Sequence, residues 1–132
     1  MEKASFFLSK IENIENKIND IKAKNPPLYY LLSKQIFKLK KVLKFFLSND
    51  ISVDNSFFDY VEFLVKGIEN LLLDNSVLEN WLKESKKINS SLENFALAFE
   101  KDLQISEKII EIKHILDEVI EIHEILLGKI PD

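Results

Sequence analysis

Apolar side chains recur along this chain at intervals of three and four residues, the spacing that lines one flank of an α-helix. The first run, Phe7, Ile11, Ile14, Ile18 and Ile21, steps 4-3-4-3, with Glu12, Asn13, Glu15, Asn16, Lys17, Asn19 and Asp20 between. So narrow a seam predicts a helix with one buried side and a solvated remainder. Asn25-Pro26-Pro27 ends it, because proline disfavours helical geometry in the residue before it and has no amide hydrogen to donate. Proline is welcome in a first helical turn, so Pro26 or Pro27 is expected to open the next helix.

The second seam runs Tyr29, Leu32, Ile36, Leu39, Leu43, Phe46. Residues Ser48 to Asn55 are rich in capping and turn types and predict the longest loop. A third helix follows with Phe57, Val61, Leu64, Ile68 and Leu71. Gly67 falls inside it, at a cost of about 1 kcal/mol relative to Ala unless it relieves a close contact. Asp74-Asn75-Ser76 breaks the pattern, and Ser76-Val77-Leu78-Glu79 reads as a capping box opening a fourth helix. Its stripe is Leu78, Trp81, Ser85, Ile88, Leu92, Phe95, Phe99. A second box at Ser90-Ser91-Leu92-Glu93 admits a kink near Asn89, but the unbroken phase favours one helix. Asp102 to Ser106 is weakly patterned and reads as a tight turn. The last seam is Ile105, Ile109, Ile112, Leu116, Val119, His123, Leu126, closed by Gly128 and Pro131.

No segment alternates with period two, so no strand is expected. Short connectors between helices of similar length favour antiparallel neighbours. These patterns predict an all-α, antiparallel up-and-down helical bundle of four to five helices, with residues 1–132 as a single domain.

Composition narrows the chemistry. The chain has no cysteine, which removes disulfides, zinc–thiolate sites, iron–sulfur clusters and a cysteine nucleophile together. It also has no arginine, every basic side chain being lysine, so bidentate recognition of phosphate or carboxylate is excluded. The net charge of −4 argues against general nucleic-acid binding. The N-terminal apolar run is too short for a signal peptide, and no stretch approaches the roughly 20 apolar residues of a transmembrane helix. A cytoplasmic protein is the expectation. Only Gly67 and Gly128 exist to form a phosphate loop, and the serines cluster at predicted helix starts, where capping explains them. An enzyme is not expected, and neither is a cofactor.

Surfaces are more informative. The far side of the second helix collects Tyr30, Lys34, Phe37, Lys41 and Lys44, and no acidic residue occurs from Leu28 to Ser48. Aromatics interleaved with lysines can dock an acidic protein, stack bases and neutralise phosphates, or rest on an anionic membrane. The competing explanation is that another helix covers Tyr30 and Phe37 while the lysines reach outward. The last helix has the opposite sign, with Glu107, Glu111, Asp117, Glu118, Glu121 and Glu124 spread over its outer face. The basic and acidic helices can complement each other within one molecule or between two.

Glu111 and His114 have the Glu-x-x-His spacing of a metal-binding helix. The second such motif of a di-metal bundle is missing, so a solvated acidic face is the simpler account. His123 lies within the seam, where a histidine is a core or interface residue hydrogen-bonded to a neighbour. The doubled aromatics Phe6-Phe7, Phe45-Phe46 and Phe57-Phe58, with Leu31, Leu47, Leu72, Leu73 and Leu127, suggest more apolar surface than a small bundle can hide. That surplus points to a protein partner or self-association, or to a fifth helix thickening the core.

The leading expectation is a non-catalytic interaction protein, a small subunit or adaptor of a larger protein assembly. A nucleic-acid-associated subunit using Tyr30, Lys34, Phe37, Lys41 and Lys44 is the alternative, and a metal-binding bundle using Glu111 and His114 the third.

Overall fold

The computed structural model of the protein describes residues 2–49, 55–72, 78–99 and 101–128. Five α-helices account for most of them: α1 (Glu2–Asn19), α2 (Pro26–Ser48), α3 (Asn55–Asn70), α4 (Leu78–Ala98) and α5 (Leu103–Leu126). No strand occurs among the described residues. The all-α expectation holds, and sequence-adjacent helices pack on one another, α1 on α2 and α4 on α5.

Local chemistry fixes several boundaries. Asn25 caps α2, its side-chain oxygen accepting from the Leu28 amide at 3.3 Å, and Pro26 and Pro27 occupy the first turn. That turn needs no proline N–H, so the two prolines that stop α1 also start α2. At the other end the Asn49 side-chain amide donates to the Phe45 carbonyl at 2.8 Å. Asp102 caps α5 through the Ile105 amide at 3.3 Å. Residues 103–106 are therefore the first helical turn rather than the expected tight turn. Gly128 takes φ 74° and donates to the Ile125 carbonyl at 3.0 Å, the left-handed helix end that glycine accepts without a Cβ penalty. The expected Ser76 capping box, most of the 48–55 loop and Pro131 lie outside the described residues.

The chain divides into two compact units, Met1–Val65 and Lys66–Asp132. In the first, α1 and α2 run antiparallel. Glu15 on α1 meets Lys40 on α2 at 2.9 Å, while Ile18 and Asn19, later on α1, share a cleft with Tyr29 and Ser33, earlier on α2. Phe7, Ile11, Ile14 and Ile18 are buried with Leu32, Ile36, Leu39, Leu43 and Phe46, as their spacing predicts, and Ala4 and Val42 join them. Ile21 and Tyr29, at the hairpin end, are only half-buried. Phe46 and Phe57 meet with ring centroids 4.8 Å apart, and Phe7 stacks on Phe58 at 6.1 Å. Such aromatic pairs contribute about 0.5–1.5 kcal/mol each beyond their buried area.

In the second unit α4 and α5 are also antiparallel, since Trp81 meets His123, Asn89 meets Asp117 and Glu93 meets Lys113 in descending order. The core takes Leu78, Trp81, Ser85 and Leu92 from α4 and Ile105, Ile109, Ile112, Leu116, Val119 and His123 from α5. One part of the predicted α4 stripe drifts. Ile88, Phe95 and Phe99 are half-buried, while Leu82 and Ala96 are buried in their place. The cause is the 3.6-residue turn: a strict 4-3 pattern on a straight helix rotates off its contact line over three turns. The helix is nonetheless continuous past Asn89.

Candidate functional site

Two helix faces and one buried cluster carry the side chains with chemistry to offer. On α2 the buried positions Leu32, Ile36, Leu39, Leu43 and Phe46 define one flank. At about 100° per residue, Tyr30, Lys34, Phe37, Lys41 and Lys44 lie diametrically opposite. All five are exposed, Tyr30 by 69% and Phe37 by 63%. Among the described residues neither ring is covered, contrary to the competing explanation for this face. Lys41 places its ammonium 5.3 Å from the Phe37 ring centroid, within cation–π range, and Tyr30 packs edge-on against Tyr29 at 5.6 Å. The result is a strip of two aromatic rings and three cations along roughly four turns of one rigid helix.

Beside the strip lies a cleft of about 210 Å³ lined by Glu15, Ile18, Asn19, Tyr29, Ser33, Ile36 and Phe37. Phe37 belongs to both strip and cleft. The Glu15 carboxylate there is already engaged by Lys40, so the cleft combines the apolar Ile18, Ile36 and Phe37 with polar Asn19 and Ser33 and a neutralised acid. It suits an inserted side chain rather than an anionic small molecule.

On α5 the face opposite the core is acidic and partly apolar. Glu107, Glu111, His114 and Glu121 are exposed and Glu118 and Glu124 half-buried. Asp117 turns inward instead, accepting from Asn89 at 2.7 Å and from Lys113 at 3.3 Å. Leu103 is 72% exposed and Ile110 40%. These two apolar residues escaped the sequence reading because they sit off the seam. The signal for them was their seven-residue separation, one heptad on the outer flank.

Glu111 and His114 share this exposed face, and Glu111 pairs with Lys108 at 3.3 Å. Among the described residues no group of three or more acidic or histidine side chains converges as a metal site would require. His123 is wholly buried, its Nε2–H donating to the Gly67 carbonyl at 2.9 Å. Its Nδ1 has no partner among the described residues. Burial pushes its pKa below the ordinary histidine value, against a smaller upward pull from the Gly67 carbonyl. The enclosed ring ties α5 to the end of α3 through this bond.

No protein-family model, curated protein or solved structure matches this chain. Among the described residues no helix is long and apolar enough to cross a membrane.

Proposed function

We propose that this chain is a non-catalytic interaction protein, a small subunit or adaptor of a larger protein assembly, which docks an acidic amphipathic helix of a partner along the outer strip of α2. The observation that carries the reading is the exposure of Tyr30 and Phe37 among Lys34, Lys41 and Lys44. Large rings held in water lose apolar contact that a partner restores, and aromatic residues dominate the energetics of protein interfaces. The lysines favour an acidic partner and speed its encounter more than they tighten the complex. Phe37, at the mouth of the cleft, is the natural anchor.

A photo-crosslinking side chain placed at position 37, in the full chain in its native cells, tests this. A specific protein adduct is expected, absent when the probe replaces exposed Lys83, and lost on combining it with Lys34→Glu and Lys41→Glu. Adducts to nucleic acid would promote the alternative reading, and no adduct at all would remove the proposal.

A further inference from the structure

The outer faces of α2 and α5 match each other position by position. On α2 the positions opposite the core are Tyr30, Lys34, Phe37, Lys41 and Lys44; on α5 they are Leu103, Glu107, Ile110 and His114, and the next position at that spacing is Asp117, whose carboxylate is turned inward to Asn89 and Lys113. Both rows step 4-3-4-3, the spacing of a two-helix seam. Laid side by side in parallel, the rows put Tyr30 level with Leu103, Lys34 with Glu107, and Phe37 with Ile110. Lys44 comes level with the turn that carries Glu118, since Asp117 beside it is already held by Asn89 and Lys113. Only Lys41 opposite His114 lacks an apolar or opposite-charge match. The antiparallel alignment centred on the same Phe37–Ile110 pair is worse, setting Tyr30 on Asp117 and Lys44 on Leu103.

Exposure agrees with the match. The four residues that would bury most apolar area, Tyr30, Phe37, Leu103 and Ile110, are all among the large hydrophobic side chains left in water. From this we infer that the acidic helix docking on α2 is α5 of a second copy of the chain, in the parallel register just described. The inference rests on the reading of the α2 strip as a protein-docking surface and names its occupant. Because the two faces differ, the contact is heterologous, and it propagates from copy to copy until a ring closes or a filament grows.

The chain's lack of cysteine makes the register directly testable. Full-length Phe37→Cys is mixed with full-length Ile110→Cys under mild oxidation. The mixed disulfide is expected to form about tenfold faster than one between Phe37→Cys and Glu121→Cys, which lies three helical turns out of register. In sedimentation at low salt the unaltered chain is expected to associate, and Lys34→Glu or Glu107→Lys alone to weaken association about fivefold to tenfold. Mixing those two variants should restore it between them. Equal disulfide rates, or association indifferent to both reversals, would overturn the inference. A chain that stays monomeric up to about 1 mM, while position 37 still crosslinks to another protein in cells, would overturn it and leave the docking function standing. A monomer with no crosslink would remove both.

Discussion

The ring of Trp81 lies nearly parallel to that of His123, with centroids 4.3 Å apart and planes inclined by 19°. His123 in turn donates to the carbonyl of Gly67, and a Cβ added at Gly67 would overlap the Trp81 ring. Three residues from three helices thus form one closed contact in which each fixes the next. Glycine at 67 is required by the indole, not by the backbone.

Gly67→Ala is therefore expected to destabilise the protein, although alanine is the better helix former. The propensity gain is about 1 kcal/mol, whereas forcing extra volume into a packed site costs about 1–3 kcal/mol. A net loss of up to about 2 kcal/mol should appear in urea unfolding followed by circular dichroism. In a Trp81→Leu background the clash is absent, and the same substitution should become neutral or stabilising. Equal losses in both backgrounds would show that the indole does not set the residue at 67.

His123 gives the cluster a pH signature. Burial lowers its pKa in the folded state from the ordinary 6.5, outweighing the upward pull of the Gly67 carbonyl. The unfolded chain then binds a proton in a range where the folded chain does not, so stability falls as pH drops through about 6.5. Carboxylates also titrate on the acid side, so the useful quantity is a difference. Urea midpoints of the unaltered chain and of His123→Gln, measured from about pH 8 to about pH 5, should diverge as the pH falls, the unaltered chain losing more. Parallel curves would mean that the ring takes up its proton while folded.

How much of this was legible beforehand depended on the kind of contact. The α1 and α2 cores were readable because each buried side chain repeats a local period, and Phe7, Ile11, Ile14 and Ile18 needed no knowledge of their partners. His123 was placeable in the α5 seam for the same reason. Its acceptor was not, since a backbone carbonyl 56 residues away leaves no side-chain trace. The role of Gly67 was visible only as an unexplained cost inside a helix. For Tyr30 and Phe37, periodicity put them opposite the core but could not say whether a further helix lay over them. The doubled aromatics show the same limit. Phe57 and Phe58 are both buried, whereas Phe6 is exposed beside buried Phe7. Local sequence is nearly identical in kind, and contacts with residues distant in the chain, Phe7 with Phe58 and Phe46 with Phe57, are not written in it.

The α4–α5 contact contains a polar link that should respond asymmetrically to mutation. Asp117 accepts from both Asn89 and Lys113, and Lys113 also approaches Glu93 at 3.4 Å. Partial burial works against the Lys113 charge, but Asp117 and Glu93 together hold its pKa above the ordinary lysine value. Asp117→Ala strips an acceptor from both donors and should cost about 1–3 kcal/mol. Asn89→Ala should cost less, because the Asn89 Oδ1 is itself buried without a partner among the described residues and its removal offsets the lost bond. Thermal melts of the two variants give the order directly; a larger loss for Asn89→Ala would contradict this account of the link.

Stability and docking should separate cleanly on α2, because its two flanks have opposite tasks. Phe46 is wholly buried and packs on Phe57, so Phe46→Ala should cost about 3–5 kcal/mol. Phe37 and Tyr30 stand in water in the isolated chain, and Tyr30→Ser or Phe37→Ser should change stability by no more than about 0.5 kcal/mol. Of the two, Phe37→Ser should show the larger effect, since its ring lines the cleft against Ile18 and Ile36. Lys34→Glu should be equally quiet in unfolding, and Lys41→Glu nearly so, losing a surface cation–π contact of about 0.5–1 kcal/mol at most. Dilute protein is the condition that matters, since self-association would add apparent stability by mass action. A loss above about 2 kcal/mol for Phe37→Ser in dilute solution would place that ring inside the fold and take away the exposed anchor on which the docking surface depends.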